Sequence, residues 1–256
     1  MPGAHGAAAF FADARRVLHV RATYAAEMLR VPVVLDQLLG IEGLGEVVIE
    51  TAKGRHGGLR RVGGRDSPVV YRSVPFGEGL SPRERFTVVH EVAHAIVQRE
   101  LQVAPSRSRE YWALEDLCNE YAAAVLMPDW AVAEALHGPS NAREFTHDAL
   151  WLARRCAVSH EAAFKRAVAS APGTAAWGLR ERRGGTVVGW SAENPEILGL
   201  RPGTALRGDG PLANAVPPSG SLDREYIGSI GDGFLSVFCR LGRGAGVVVH
   251  VAEDES

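Results

Sequence analysis

The chain is poor in cysteine, has no long apolar run and carries no excess of one charge. Its three cysteines, Cys118, Cys156 and Cys239, are odd in number and scattered without CxxC spacing. That excludes a disulfide framework and fits reduced thiols. No stretch approaches the roughly twenty apolar residues that a membrane helix needs. The opening MPGAHGAAAFFADARR has no basic residues ahead of its apolar part, so it makes a poor signal peptide, and a cytoplasmic location is expected. A net charge of -2 over 256 residues leaves no global basic footprint for nucleic acid.

What the chain does have is His90-Glu91-Val92-Ala93-His94. HExxH in a helix sets two imidazoles one turn apart on one face, where both reach a single cation, with a carboxylate beside them to take a proton from the attacking water. The surroundings support a helix. Ser81-Pro82-Arg83-Glu84 reads as a capping box with proline at the first helical position. Val88, Val89, Val92, Ala93, Ala95 and Ile96 make the flanks apolar, as in a helix buried on most sides. Ordinary core or surface histidines are the competing explanation, and the agreement of spacing, cap and setting weighs against it.

A catalytic zinc site normally takes three protein ligands and leaves a fourth position open. Glu100, six residues after His94, would suit a metzincin-like site, but that geometry needs glycine at position 97, where Val97 stands. A carboxylate on a second helix is the better option. Tyr111 to Met127 reads as that helix, stopped by Pro128. In it Glu115 shares a stripe with Cys118, Ala122 and Val125, while Glu120 projects elsewhere. Cys118 is read as a buried thiol in preference to a ligand. For the oxyanion, Tyr111, Tyr121 and His147 are unranked candidates.

The run RFTVVHEVAHAIV, followed by ExxCNEYAAAVLMP, resembles the ImmA/IrrE metallopeptidases, and Leu152 to Arg166 is similar to a third segment of that family. Cys118 and Tyr121 depart from the alanine and phenylalanine of the pattern. The resemblance spans roughly residues 12 to 170. It implies that Glu115 is the third metal ligand beside His90 and His94, that Glu91 is the catalytic base, and that the metal is zinc, with manganese as the alternative. It also implies a specific protein substrate, typically a helix-turn-helix repressor cut to switch on stress genes.

The expected fold class is α+β: a zincin-like helical peptidase core with a small sheet, a helix-turn-helix-like segment, and a strand-rich C-terminal module. The expected domains are 1–139, 140–171 and 172–256. Residues 10 to 40 read as helical. Val47 to Glu50 and Pro68 to Ser73 read as strands separated by a Gly/Arg-rich stretch. Pro68 to Ser73 is either a substrate-binding sheet edge or a core strand. Arg55, Arg60, Arg61 and Arg65 either meet an acidic partner or belong to a solvated loop. Between Ser140 and Ser170 two short helices have a helix-turn-helix cadence. Lys165 and Arg166 are too few for a DNA-reading face, so packing on the core is favoured over DNA contact.

Beyond Pro172-Gly173, Gly185 to Trp190, Phe234 to Leu241 and Gly246 to Val251 read as antiparallel strands. The resemblance implies a GAF-like sensory domain here, but only a reduced module fits the remaining length. Trp177, Trp190, Phe234 and Phe238 either line a ligand pocket or form its core, and the core reading is favoured. The function expected is therefore a zinc-dependent, gluzincin-like endopeptidase of stress or DNA-damage regulation, without membrane contact. The alternative is a regulatory or DNA-binding protein whose metal is structural.

Overall fold

The computed structural model describes residues 4–52, 54, 56–72, 79–102, 109–136, 141–171, 173–182, 185–192, 201–205, 225–229, 234–242 and 245–252. The chain is α+β and divides into two compact units, Met1–Asp129 with Arg155–Val158, and Trp130–Arg154 with Ser159–Ser256. Among the described residues no helix is long and apolar enough to cross a membrane.

In the first unit, α1 (Ala4–Met28) buries Ala14, Leu18, Ala22 and Ala25, a stripe at spacings of three and four that packs on two later helices. The helical run expected to residue 40 breaks around Pro32, whose ring nitrogen cannot donate to a helical bond. It resumes as α2 (Leu35–Glu42), closed by Gly43 at φ 68°, a left-handed cap that glycine adopts without strain. Next come β1 (Val48–Thr51), β2 (Gly57–Val62) and β3 (Arg65–Arg72), then α3 (Pro82–Leu101) and α4 (Arg109–Leu126).

These strands form one sheet in the order β1-β3-β2, with β1 parallel and β2 antiparallel to β3. The edge reading of Pro68 to Ser73 is thereby corrected over residues 68–72, and Ser73 lies outside the described residues. Val69 and Val70 point to opposite faces and are both buried, as a central strand requires. Pro68 fits because its partner, Leu59, sits at a non-hydrogen-bonded position of the antiparallel ladder, and the β1 pairing begins only at Val69. Among the described residues the edge on this side is β2, joined to β3 through Gly63 and Gly64: both have positive φ (56° and 83°), the signature of a two-residue hairpin turn.

Ser81 caps α3 as expected: its hydroxyl accepts from Glu84 N at 3.3 Å, and Ser81 N donates to the Glu84 carboxylate at 2.7 Å. Arg72, at the end of β3, holds the same carboxylate at 2.6 Å and keeps it below its ordinary pKa. The last residue of the central strand is thus tied to the first turn of α3. Helix α3 then packs against α4, α1, β3 and β2, which accounts for valines and alanines on nearly all its sides.

The second unit holds α5 (Asp129–Ala135), α6 (Ala142–Cys156), α7 (His160–Ala169) and the strands β4 (Thr174–Arg182), β5 (Gly185–Ala192), β6 (Glu225–Ser229), β7 (Phe234–Gly242) and β8 (Ala245–Ala252). All five strands join one antiparallel sheet, ordered β5-β4-β8-β7-β6. Asn141 and Ser159 cap α6 and α7 through their side-chain oxygens. Phe145, Phe164, Ala167, Ala176, Trp190 and Val249 share one core, with the Phe164 and Trp190 rings 6.1 Å apart. A Cβ on Gly178 would lie 1.9 Å from Trp190 Nε1, so only glycine lets that indole lie across β4. Trp177 and Trp190 are therefore core residues, while the side chains of Phe234 and Phe238 lie outside the described residues.

Candidate metal centre

Helix α3 turns His90, Glu91 and His94 toward α4, which answers with Tyr111, Glu115 and Asn119 at i, i+4 and i+8 on a single face. His90 Nε2 and His94 Nε2 lie 3.1 Å apart. Each also lies 3.1 Å from one Glu115 oxygen, His90 from Oε2 and His94 from Oε1. Donor atoms about 2.0–2.1 Å from a tetrahedral zinc ion sit roughly 3.3 Å from one another. The three side chains therefore already have the spacing that such an ion would impose. Two imidazoles and a carboxylate are also its usual donor chemistry, and the three form a candidate metal site.

The second nitrogen of His90 is engaged as well. Its Nδ1 lies 2.9 Å from Asn119 Oδ1, and because an amide oxygen only accepts, that nitrogen carries a proton, which leaves Nε2 to bind a cation when the ring is neutral or to donate to Glu115 when the ring is protonated. Sequence reasoning missed Asn119. The signal was present as its i+4 spacing from Glu115, a position that the apolar stripe of α4 does not reveal.

Burial disfavours a charged His90, yet the carboxylates of Glu115 and Glu91 and the Asn119 oxygen outweigh it and hold the imidazole above its usual pKa. Hydrogen bonds from His90 and His94, joined by one from the Tyr111 hydroxyl, keep the Glu115 carboxyl well below the carboxylate range. Burial has the opposite effect on Glu91, raising its pKa against the pull of the two histidines. One pocket thus holds an acid kept ionised and an acid made more basic, and the second kind is what proton abstraction requires.

The remaining candidates separate. Glu100 is drawn to Arg21 at 3.0 Å and Glu120 to Arg15 at 3.7 Å, both away from the histidine pair. Cys118 is fully buried, and burial followed by the charges of Glu115 and Glu91 pushes its thiol far up, so it stays neutral. Of the three oxyanion candidates, Tyr111 reaches the site through Glu115. Tyr121 is 2 % exposed, and its hydroxyl has no hydrogen-bond partner. Its surroundings are the buried Glu42 with Arg21 and Arg99. His147 belongs to the second unit. Arg60 pairs with Glu50, and Arg61 bonds the Gly64 carbonyl at 3.3 Å, while Arg55 lies outside the described residues.

Residues 80–167 match the peptidase-family model described as the IrrE N-terminal-like domain. Over this segment the chain is similar to that family. Its match runs from the cap of α3 through both ligand helices into α7, and it supports a peptidase-type enzyme that uses a metal. The solved structure of a Mycobacterium tuberculosis transcriptional regulator is similar with a TM-score of 0.53 at 17% identity, covering 96% of this chain and 81% of that one. At that identity the likeness shows the fold alone. No curated protein matches the chain.

Proposed function

We propose that the chain is a zinc-dependent endopeptidase that cleaves a specific protein, a helix-turn-helix repressor, to release a stress or DNA-damage response. The observation that carries this reading is the convergence of His90, His94 and Glu115 at 3.1 Å spacings with Glu91 beside them. Among the described residues only these three offer donor atoms here, and a site of three protein ligands would keep one position open, as catalytic zinc sites do and structural ones do not. Zinc suits two imidazoles and a carboxylate better than manganese, and when bound it supplies a Lewis acid for the scissile carbonyl. Glu91 takes the proton of the attacking water and hands it to the leaving amine. Tyr111, whose hydroxyl donates to Glu115, would serve a developing oxyanion only by releasing that bond.

A substrate segment finds a place on β2. Its ladder with β3 pairs Gly58, Arg60 and Val62 through hydrogen bonds, so the backbone groups of Gly57, Leu59 and Arg61 face outward along the free edge. An extended peptide added there would make main-chain bonds beside Glu91.

The rival is a cytoplasmic regulator in which the metal is structural. Its motive is the name of the solved neighbour, a transcriptional regulator, whereas a site of three protein ligands favours catalysis. Incubation of the full chain with purified candidate repressors, with zinc or with a chelator, tests the proposal by mass spectrometry of the fragments. A single cut that needs zinc and disappears in Glu91→Gln, with zinc content unchanged, is the expected result. Zinc bound equally by both proteins with no cut in any candidate would favour the regulator.

A further inference from the structure

The edge strand and the base meet at one atom that is missing. An ideal Cβ built on Gly57 would lie 2.5 Å from Glu91 Oε1, 3.2 Å from its Cδ and 2.5 Å from Thr87 Cγ2. The neighbouring Gly58 is different: a Cβ there meets only the Tyr71 ring, at an ordinary 3.6 Å. Gly57 has no positive φ to explain it, so glycine is required at this position for space and not for backbone conformation. Among the described residues no side chain hydrogen-bonds the Glu91 carboxylate, and burial and charge alone shift its pKa. Its place is therefore set by what it packs against, and one wall of that space is the bare α-carbon of Gly57.

We propose that Gly57 is a positioning residue for Glu91, keeping the carboxylate at the distance from the metal ligands that proton transfer needs. The proposal rests on Glu91 being the base. Two features make the effect specific. Thr87 cannot yield freely, because its hydroxyl is bonded to the Arg83 carbonyl at 3.2 Å and its β-branched side chain is restricted in a helix. Glu91 is the flexible partner, and restoring ordinary contact with a new methyl group moves its carboxylate by about 1 Å. A misplacement of about that size costs on the order of a hundredfold in rate. The carboxylate can turn toward solvent, whereas the clash with the Thr87 methyl group is relieved only by a shift of β2 or by removing that methyl group.

The test uses the zinc-loaded full chain and acetohydroxamate, a bidentate zinc chelator whose hydroxyl hydrogen-bonds a carboxylate in the base position. Affinity for zinc and for acetohydroxamate is measured in wild type, Gly57→Ala, Gly58→Ala and the double variant Gly57→Ala/Thr87→Ser. The double variant removes the Thr87 methyl and keeps its hydroxyl. The expected pattern is unchanged zinc affinity throughout, acetohydroxamate binding at least about tenfold weaker in Gly57→Ala, no change in Gly58→Ala, and no recovery in the double variant. Recovery there would assign the effect to packing on Thr87 and overturn the proposal, as would wild-type acetohydroxamate binding in Gly57→Ala. Loss of zinc from Gly57→Ala alone would make Gly57 a fold residue and also overturn it. Because the readout needs no cleavable substrate, the expected pattern in a chain that cuts nothing would uphold Gly57 while defeating the peptidase reading. A wild type that binds no zinc would defeat both.

Discussion

Asn119 accepts a hydrogen bond from the ring nitrogen of His90 that faces away from the other two donor atoms, at 2.9 Å. It thereby fixes both the tautomer and the tilt of a residue on a different helix. Asn119→Leu should lower zinc affinity by about 10–100-fold, the usual cost of losing such a partner, while Asn119→Asp should preserve it. Competition with a zinc-binding dye would measure both. Equal affinity in the Leu variant would mean that the tautomer is set elsewhere.

Glu115→Ala removes a carboxylate whose Oε2 lies 3.1 Å from His90 and whose Oε1 lies 3.1 Å from His94. Its zinc affinity should fall by more than the roughly 10–100-fold of the Asn119 variant. Glu100→Ala and Glu120→Ala should bind zinc as wild type does, because those carboxylates face Arg21 and Arg15. A zinc defect in either would place the ligand set out of register.

Glu42 makes a pH-dependent prediction. Its side chain is 0 % exposed, with Arg99 at 3.5 Å and Arg21 at 3.8 Å, both longer than an ordinary hydrogen bond. Burial outweighs the two arginines and raises its pKa in the fold. The folded state thus holds this proton more tightly than the unfolded one. The stabilisation is complete below the unfolded value of about 4.5 and is lost as pH rises through the higher folded value. At neutral pH the ionised Glu42 costs stability, so Glu42→Gln should melt higher than wild type at pH 7.5, with the gap closing as the pH falls toward 4.5. A gap that opened in the other direction at neutral pH would show that the arginine pairs dominate.

Trp190→Ala should destabilise the second unit by about 3–5 kcal/mol, the range for truncating a buried aromatic, since its ring lies 8 % exposed against Phe164 and Gly178. A fragment ending at Ala171 passes through the same core and uncovers Phe164, Ala167 and Val168. It should aggregate or expose apolar surface to a fluorescent dye. Fragments that stay monomeric with native helix content would show that α6 and α7 need no strands.

Much of the peptidase unit was legible because its signals are local. Ser81, Pro82 and Glu84 mark the start of α3 through bonds within a single turn, and the HExxH spacing needs no tertiary contact to be read. The stripe of α4 and the family resemblance both pointed to Glu115, whose oxygens lie 3.1 Å from the two histidines. What stayed hidden depends on neighbours distant in sequence. Strand β2, read as part of a loop, has the sequence Gly-Gly-Leu-Arg-Arg-Val, without apolar alternation, because an edge strand buries little. Only the Gly63-Gly64 turn could have marked it. Asn119, Gly57 and Glu42 owe their roles to residues 29, 34 and more than 50 positions away in α3, and no periodicity encodes such pairs.

The free edge of β2 carries a hazard of its own. A row of unanswered backbone groups will pair with any compatible strand, including the same strand of another copy of the chain. Arg60, paired with Glu50, and Arg61 are both exposed on it, so two such edges meeting antiparallel would set like charges against the backbone bonds they gained. A peptide with acidic residues flanking its extended segment would meet no such barrier. An edge that resisted its own copies in a crowded solution would by the same charges favour an acidic strand over a basic one.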